Sequence, residues 1–265
     1  MTKAIATTKT TALITGASSG IGATYAERLA RRGYNLVLVA RDQKRMEALA
    51  ARLRAETGVT IDILQADLTR AEDLATVEAR LRGDERIGLL VNNAGMAAHG
   101  GYAAPDLEAW SSLINLNVTA LTRLTGAAVP RFLARGQGEI INIASVLAFA
   151  PEFPLGPYAA TKSFVVTFTQ GLNAELGARG IYAQAVLPAA TRTEIWERSG
   201  RDVNSLTGVM EVGEMVDAAL VGFDRRETIT LPSLPDAGQW DAYDNARKAM
   251  LPNFPQEHAA ARYQA

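Results

Sequence analysis

The strongest constraint on this chain is an alternation. Short apolar, β-branched runs at residues 12–15, 35–40, 61–65, 88–91, 139–144 and 181–187 are separated by longer stretches of helical periodicity. The runs read as strands, and residues 21–32, 43–56, 71–82, 107–134 and 158–178 read as helices, several closed by a glycine such as Gly33, Gly58 or Gly180. The first five strands are nearly continuous in apolar residues, as happens when both faces of a sheet are covered. Strand–helix alternation of this kind predicts a parallel sheet with right-handed crossovers: an α/β, Rossmann-like, doubly wound fold. No Pro, Gly or Ser linker interrupts it, so residues 11–250 are expected to form one domain, after an N-terminal extension (1–10) and before a C-terminal tail (251–265). Beyond residue 187 the pattern loosens. A helix is expected near 211–223 and a strand near 227–231, and the segment 188–210 is placed to cover a substrate.

Composition removes several classes of function. With 48% hydrophobic residues and a net charge of −1, the chain is expected to be globular, with arginines spread among glutamates rather than gathered for nucleic acid. It has no cysteine and only two histidines, His99 and His258, so no metal site is expected. No apolar run is long enough for a membrane span, and the N-terminus has no apolar leader core, so the expected location is the cytoplasm.

The first strand leads into Thr15-Gly16-Ala17-Ser18-Ser19-Gly20-Ile21-Gly22, which opens the first helix. Glycines let the backbone approach a pyrophosphate, and the helix N-terminus favours its charge. The spacing differs from the commonest dinucleotide fingerprint, because three residues separate Gly16 from Gly20. At the end of the second strand, where an acidic residue would hold the ribose of NAD(H), the chain has Ala40-Arg41. Arginine suits a 2′-phosphate, so NADP(H) is expected over NAD(H); the plainer alternative is that Arg41 starts a solvated helix capped by Asp42. Asp67, and Asn93, Ala94 and Gly95 within Asn92-Asn93-Ala94-Gly95, fall at strand ends along the same edge.

Tyr158 and Lys162 lie four residues apart on a helical pattern begun by Pro157, which places them on one face with the tyrosine in the first turn. An ammonium and a helix N-terminus both stabilise a phenolate, so a lowered phenol pKa is expected. Ser145 follows the fifth strand, at the same sheet edge. Asn117 is a poor helix former in an otherwise apolar helix.

These motifs, in this order from about residue 11 to 193, resemble the classical short-chain dehydrogenase/reductase family: TGxxxGxG, NNAG, a serine and YxxxK. The resemblance implies hydride transfer between a nicotinamide and a carbonyl or alcohol carbon. It implies Tyr158 as general acid/base, Lys162 as the group that lowers its pKa and holds the nicotinamide ribose, and Ser145 on the substrate oxygen. Asn117 would anchor a water in a kinked helix. Asp67, Leu68 and Asn93 would contact the adenine nucleoside, and Pro188, Thr191 and Thr193 would lie near the nicotinamide and phosphates. One departure is Ala189, where the family usually has glycine.

Apolar residues flank the motifs, including Met96, Ala97, Ala98, Val146, Leu147, Phe149, Phe153, Leu155, Ile195 and Trp196, so a small hydrophobic substrate is expected. His99, Arg192 and Arg198 read more simply as solvated surface. The long apolar helices suggest a helix-to-helix interface in a homodimer or homotetramer. Two other functions remain open: a catalytically silent dinucleotide-binding regulator or scaffold, and a nucleotide-sugar epimerase or dehydratase with the same Tyr-Lys pair.

Overall fold

In the computed structural model, which describes residues 10–97, 101–153, 155–198 and 202–264, the first apolar run is β1 (Thr11–Thr15), buried at every position. Most of the 1–10 extension, Ala98 and His99 lie outside the described residues, as does the side chain of Arg198. After β1 come α1 (Gly20–Arg31), β2 (Asn35–Ala40), α2 (Gln43–Thr57), β3 (Ile61–Gln65), α3 (Ala71–Gly83) and β4 (Ile87–Asn92). The chain continues through α4 (Leu107–Ile114), α5 (Leu121–Arg135), β5 (Gly138–Ile143), α6 (Tyr158–Leu176) and β6 (Ile181–Val186). Seven strands pair in parallel in the order β3-β2-β1-β4-β5-β6-β9, where β9 is Ile229–Thr230.

Two cores explain the continuous apolar strands. Alternate residues of β1 point to opposite faces: Ala12 and Ile14 pack with Tyr25, Leu29 and Met215, whereas Leu13 packs with Val77, Leu81, Leu124 and Phe132. The chain passes from β3 at one edge back across β1 to β4, so β1 and β4 flank the point where strand order reverses. Crevices beyond the carboxyl ends of strands at such a point are where open α/β sheets take ligands. Two buried asparagines lie there: Asn92 Nδ2 donates to Thr125 Oγ1 (3.1 Å) and Asn142 Oδ1 (2.9 Å), and Asn142 Nδ2 donates to Thr169 Oγ1 (2.9 Å). This chain ties α5 and α6 to the ends of β4 and β5.

The expected single helix over 107–134 is interrupted. Asn115–Ala120 forms a π-helical turn between α4 and α5, and Asn117 sits within it. A π turn shifts the hydrogen-bond register without changing the apolar periodicity, so the sequence pattern continues through it. Beyond β6 the chain forms a two-stranded parallel pair, β7 (Thr191–Arg192) with β8 (Met210–Glu211), with the short α7 (Ile195–Arg198) between them. The expected helix near 211–223 is α8 (Val212–Asp224). The chain divides into two compact units, Met1–Pro232 and Ser233–Ala265. The second carries α9 (Ala237–Met250), capped by Asp236 accepting from Gly238 N. Among the described residues, no helix is long and apolar enough to cross a membrane, and no cluster of His, Asp and Glu could hold a metal ion.

Candidate active site

Almost every residue singled out from sequence lines one cavity of about 1530 Å³ at the carboxyl edge of the sheet. Gly16, Ser18, Ser19, Gly20 and Ile21 form one end; Arg41, Asp67, Leu68, Asn93, Ala94 and Gly95 form its floor and rim. Ser145, Tyr158, Lys162, Pro188, Thr191 and Thr193 form the other end. Gly22 and Asn117 do not line it, and each acts from behind the wall.

At the phosphate loop, Gly16 has φ +66°, and a Cβ there would fall 2.7 Å from Asn93 Nδ2. A Cβ on Gly22 would fall 2.3 Å from the carbonyl oxygen of Gly16. Only glycine lets the loop close this tightly onto the end of β4 while its backbone faces the cavity. Asn93 fixes the closure: its Nδ2 donates to the carbonyls of Thr15 (2.9 Å) and Gly16 (3.2 Å). Thr15 Oγ1 accepts from the backbone N–H groups of Asn93 and Ala94, both at 3.0 Å, and donates to Val91 O. Sequence reasoning missed Thr15, although a hydroxyl directly before the glycine loop is the signal that would find it. The cradle fits a pyrophosphate at the N-terminus of α1.

Arg41 is solvent-rich, its side chain 68% exposed, with Nη1 3.9 Å from Asp67 Oδ2. Lys44 and Gln43 line the cavity beside it, and Asp42 caps α2 by accepting from Arg45 N. Asp42 thus caps α2, and Arg41 just before it lines the cavity. Asp67 Oδ1 accepts from the backbone and hydroxyl of Thr69. Burial works to raise the Asp67 pKa, but the Thr69 hydrogen bonds and the Arg41 charge outweigh it and hold the carboxyl below its ordinary value.

At the other end, Ser145 stands two residues past β5, where it caps a short 3-10 turn (Val146–Phe149). Its Oγ accepts from Leu147 N (3.2 Å) and donates to Pro188 O (3.4 Å). Tyr158 opens α6, and Lys162 one turn later is 6% exposed. Lys162 Nζ donates to Ile143 O (2.9 Å) and lies 5.7 Å from the centroid of the Tyr158 ring. Burial pushes the lysine down to about 8. The expected lowering of the tyrosine is not found: burial pushes its phenol up to about 12, and the Ser145 hydrogen bond offsets only part of this. Desolvation of the phenolate is the largest cause of the shift, and the Ser145 hydrogen bond is what opposes it.

Asn117 is 2% exposed. Its Oδ1 accepts from Met96 N and its Nδ2 donates to Met96 O, both at 3.0 Å, and Nδ2 also reaches Thr161 Oγ1 at 3.3 Å. It thus fixes the loop after Gly95 against α6. A Cβ on Gly95 would lie 3.2 Å from Asn117 Oδ1 and 3.6 Å from Lys162 Nζ, so this glycine leaves the space between them open. Met96, Leu147, Phe153, Leu155, Ile195, Trp196 and Leu206 line the remaining wall, which is apolar.

Known proteins share this fold. A short-chain dehydrogenase from Sphingobium yanoikuyae, solved in complex with NADPH, superposes with a TM-score of 0.94 at 62% identity, over 96% of this chain and 100% of that one. A bulky-bulky ketone specific alcohol dehydrogenase from Comamonas testosteroni gives a TM-score of 0.91 at 55% identity, over 98% and 100%. Among curated proteins, a very-long-chain 3-oxoacyl-CoA reductase of Danio rerio is 37% identical over 69% of this chain, which spans 59% of that reductase's length. The family model described as short chain dehydrogenase matches residues 10–204, and the chain belongs to that family of oxidoreductases.

Proposed function

We propose that this chain is an NADP(H)-dependent oxidoreductase that interconverts a bulky, largely apolar ketone and its alcohol. The observation that carries the reading is the position of Ser145, Tyr158 and Lys162, where the glycine-lined end of the cavity meets its apolar wall. The NADPH complex and the ketone-specific enzyme, each more than half identical to this chain, support the cofactor and the substrate class.

The bound nicotinamide supplies or accepts the hydride. The rest is the work of this chain's residues. Arg41 and Lys44 would meet the 2′-phosphate, with the arginine offering a planar fork. Tyr158, protonated at neutral pH, donates its proton to the carbonyl oxygen as charge develops there, and Ser145 Oγ donates a hydrogen bond to the same oxygen. Lys162, on the same helix face, returns the proton to the tyrosine, and Asn117 keeps the Gly95–Met96 loop in place beside it. Phe153, Leu155, Ile195 and Trp196 exclude water and select apolar groups on both sides of the carbonyl. The same reading includes a homodimer or homotetramer, since Phe164, 37% exposed, stacks on Phe168 along α6 with ring centroids 5.6 Å apart.

The test is reduction of a graded series of diaryl and aryl-alkyl ketones with NADPH and with NADH. Turnover with NADPH that increases with ketone bulk supports the reading. Preference for acetone-sized ketones, or for NADH, overturns it.

A further inference from the structure

The segment after β6 runs in continuous contact from the phosphate loop to the apolar wall. A Cβ built on Gly20 would lie 3.2 Å from Thr193 Cγ2, so Thr193 rests against the loop. Glu194, next in sequence, reaches the first turn of α2, and both of its carboxylate oxygens lie 2.7 Å from Arg45 Nη1. Ile195 and Trp196 then line the apolar wall, and the indole Nε1 donates to Thr191 O at 2.7 Å. The base of the segment is firmer. It pairs with Met210–Glu211 through the backbone, and Arg192 adds bonds to Glu211 Oε1 (2.8 Å) and Asn204 Oδ1 (3.0 Å).

The Glu194–Arg45 pair joins the segment that carries Ile195 and Trp196 to the first turn of α2, where Lys44 lines the cavity. Arg45 Nε also lies 3.5 Å from Asp42 Oδ2, so its guanidinium is held from both sides. The pair lies outside the strand pairing of Thr191 and Arg192 with Met210 and Glu211. The side chains are half-exposed, and such pairs contribute little stability.

We propose that Glu194 is a positioning residue that straps the Thr191–Trp196 segment to α2 through Arg45, coupling release of the dinucleotide to the shape of the substrate wall. The proposal rests on the NADP(H) reading for its kinetic consequence, although the strap itself is a property of the free protein. When the pair is closed, Thr193 presses on the phosphate loop and Trp196 holds the wall. When it opens, both are loosened together.

The experiment uses Trp110→Phe/Trp240→Phe protein, in which Trp196 is the remaining indole, with far-UV circular dichroism confirming the fold of each variant. In the free protein, Glu194→Gln is expected to raise acrylamide quenching of Trp196 by about twofold, and stopped-flow NADPH release by roughly two- to fivefold, as suits a half-exposed ion pair. Arg45→Gln should match it, and the double variant should add nothing further, because one interaction has been removed twice. Unchanged quenching in Glu194→Gln, or additive effects, overturns the strap. Slower release from Glu194→Gln also overturns it, since Arg45 would then be a phosphate ligand that Glu194 holds back. Failure of the parent to bind NADPH sinks the cofactor reading alone, and the quenching measurement still decides the strap.

Discussion

Lys162 Nζ lies 2.9 Å from the carbonyl oxygen of Ile143, the last residue of β5, so α6 is pinned to the strand that leads into Ser145. The same bond gives a cation that is only 6% exposed a carbonyl dipole for a partner. Burial of an ammonium is costly, and the drop from 10.5 to about 8 expresses that cost.

Replacing Lys162 should therefore separate stability from activity. The folded pKa lies below the unfolded one, so between about 8 and 10.5 the unfolded chain holds more protons and stability rises with pH. Below that window the penalty is fully present. Lys162→Met should stabilise the free protein at pH 7 by roughly 1–2 kcal/mol, after allowance for the Ile143 carbonyl left without its donor. The gain should shrink as pH rises through the window. Ketone reduction should fall by about 10²–10⁴-fold. Thermal unfolding at pH 7 and pH 10 checks the first part; a variant less stable than the parent at pH 7 would contradict it.

The phenol of Tyr158, raised to about 12 by burial, gives the opposite stability slope: the folded chain keeps its proton between about 10 and 12, and stability falls as pH rises there. At neutral pH the phenol is protonated, as the proposed role of proton donor requires. The pH profile of kcat/KM for reduction should show no limb from Tyr158 near neutrality, and any fall should begin as pH rises toward about 8, where Lys162 loses its proton. Tyr158→Phe should lose activity by about 10²–10⁴-fold while NADPH affinity, measured by fluorescence titration, stays within about twofold. A limb near neutrality that disappears in Tyr158→Phe would mean that the phenol is lowered after all.

What the sequence discloses depends on how far apart in the chain the interacting groups lie. The glycine loop and the Tyr158–Lys162 turn are local, and each can be read from a few consecutive residues. Glu194 and Arg45 are 149 positions apart, and nothing in either neighbourhood names the other; only the strand order brings them together. Thr161 supports Asn117 across 44 positions in the same way. The direction of the Tyr158 shift was hidden for a different reason. Charges can be read from residue types, whereas the burial that raises this phenol depends on how the surrounding elements pack. The π turn at Asn115–Ala120 was masked by an apolar periodicity that runs through it.

Two glycines should respond in opposite ways to the same methyl group. At Gly22 a Cβ would lie 2.3 Å from Gly16 O and 2.4 Å from Asn93 Nδ2, contacts with backbone and with an amide that is itself hydrogen-bonded. Gly22→Ala should cost about 1–3 kcal/mol through forced displacement of the loop, and NADPH affinity should fall at least about tenfold. At Gly171, inside α6, nothing lies within 4 Å of a Cβ. Gly171→Ala should stabilise by up to about 1 kcal/mol through helix propensity. Urea unfolding of both variants checks the contrast, and a neutral Gly22→Ala would show that the loop is not as tight as its geometry indicates.

The cofactor preference should reside mainly in Arg41. Its guanidinium meets Asp67 only at 3.9 Å, with the side chain 68% exposed, so little has to be broken before it turns to a phosphate. A charge-assisted hydrogen bond contributes about 1.5–3 kcal/mol. Arg41→Ala should therefore weaken NADPH binding by roughly 10- to 100-fold and leave NADH binding within about twofold. Lys44→Ala should cost less, because a point charge lacks the second hydrogen bond of the planar fork. Fluorescence titration of the parent and both variants with the two cofactors decides the matter. Equal losses for NADPH and NADH in Arg41→Ala would mean that the arginine stacks on the adenine, a part common to both, and would move the 2′-phosphate contact to Lys44.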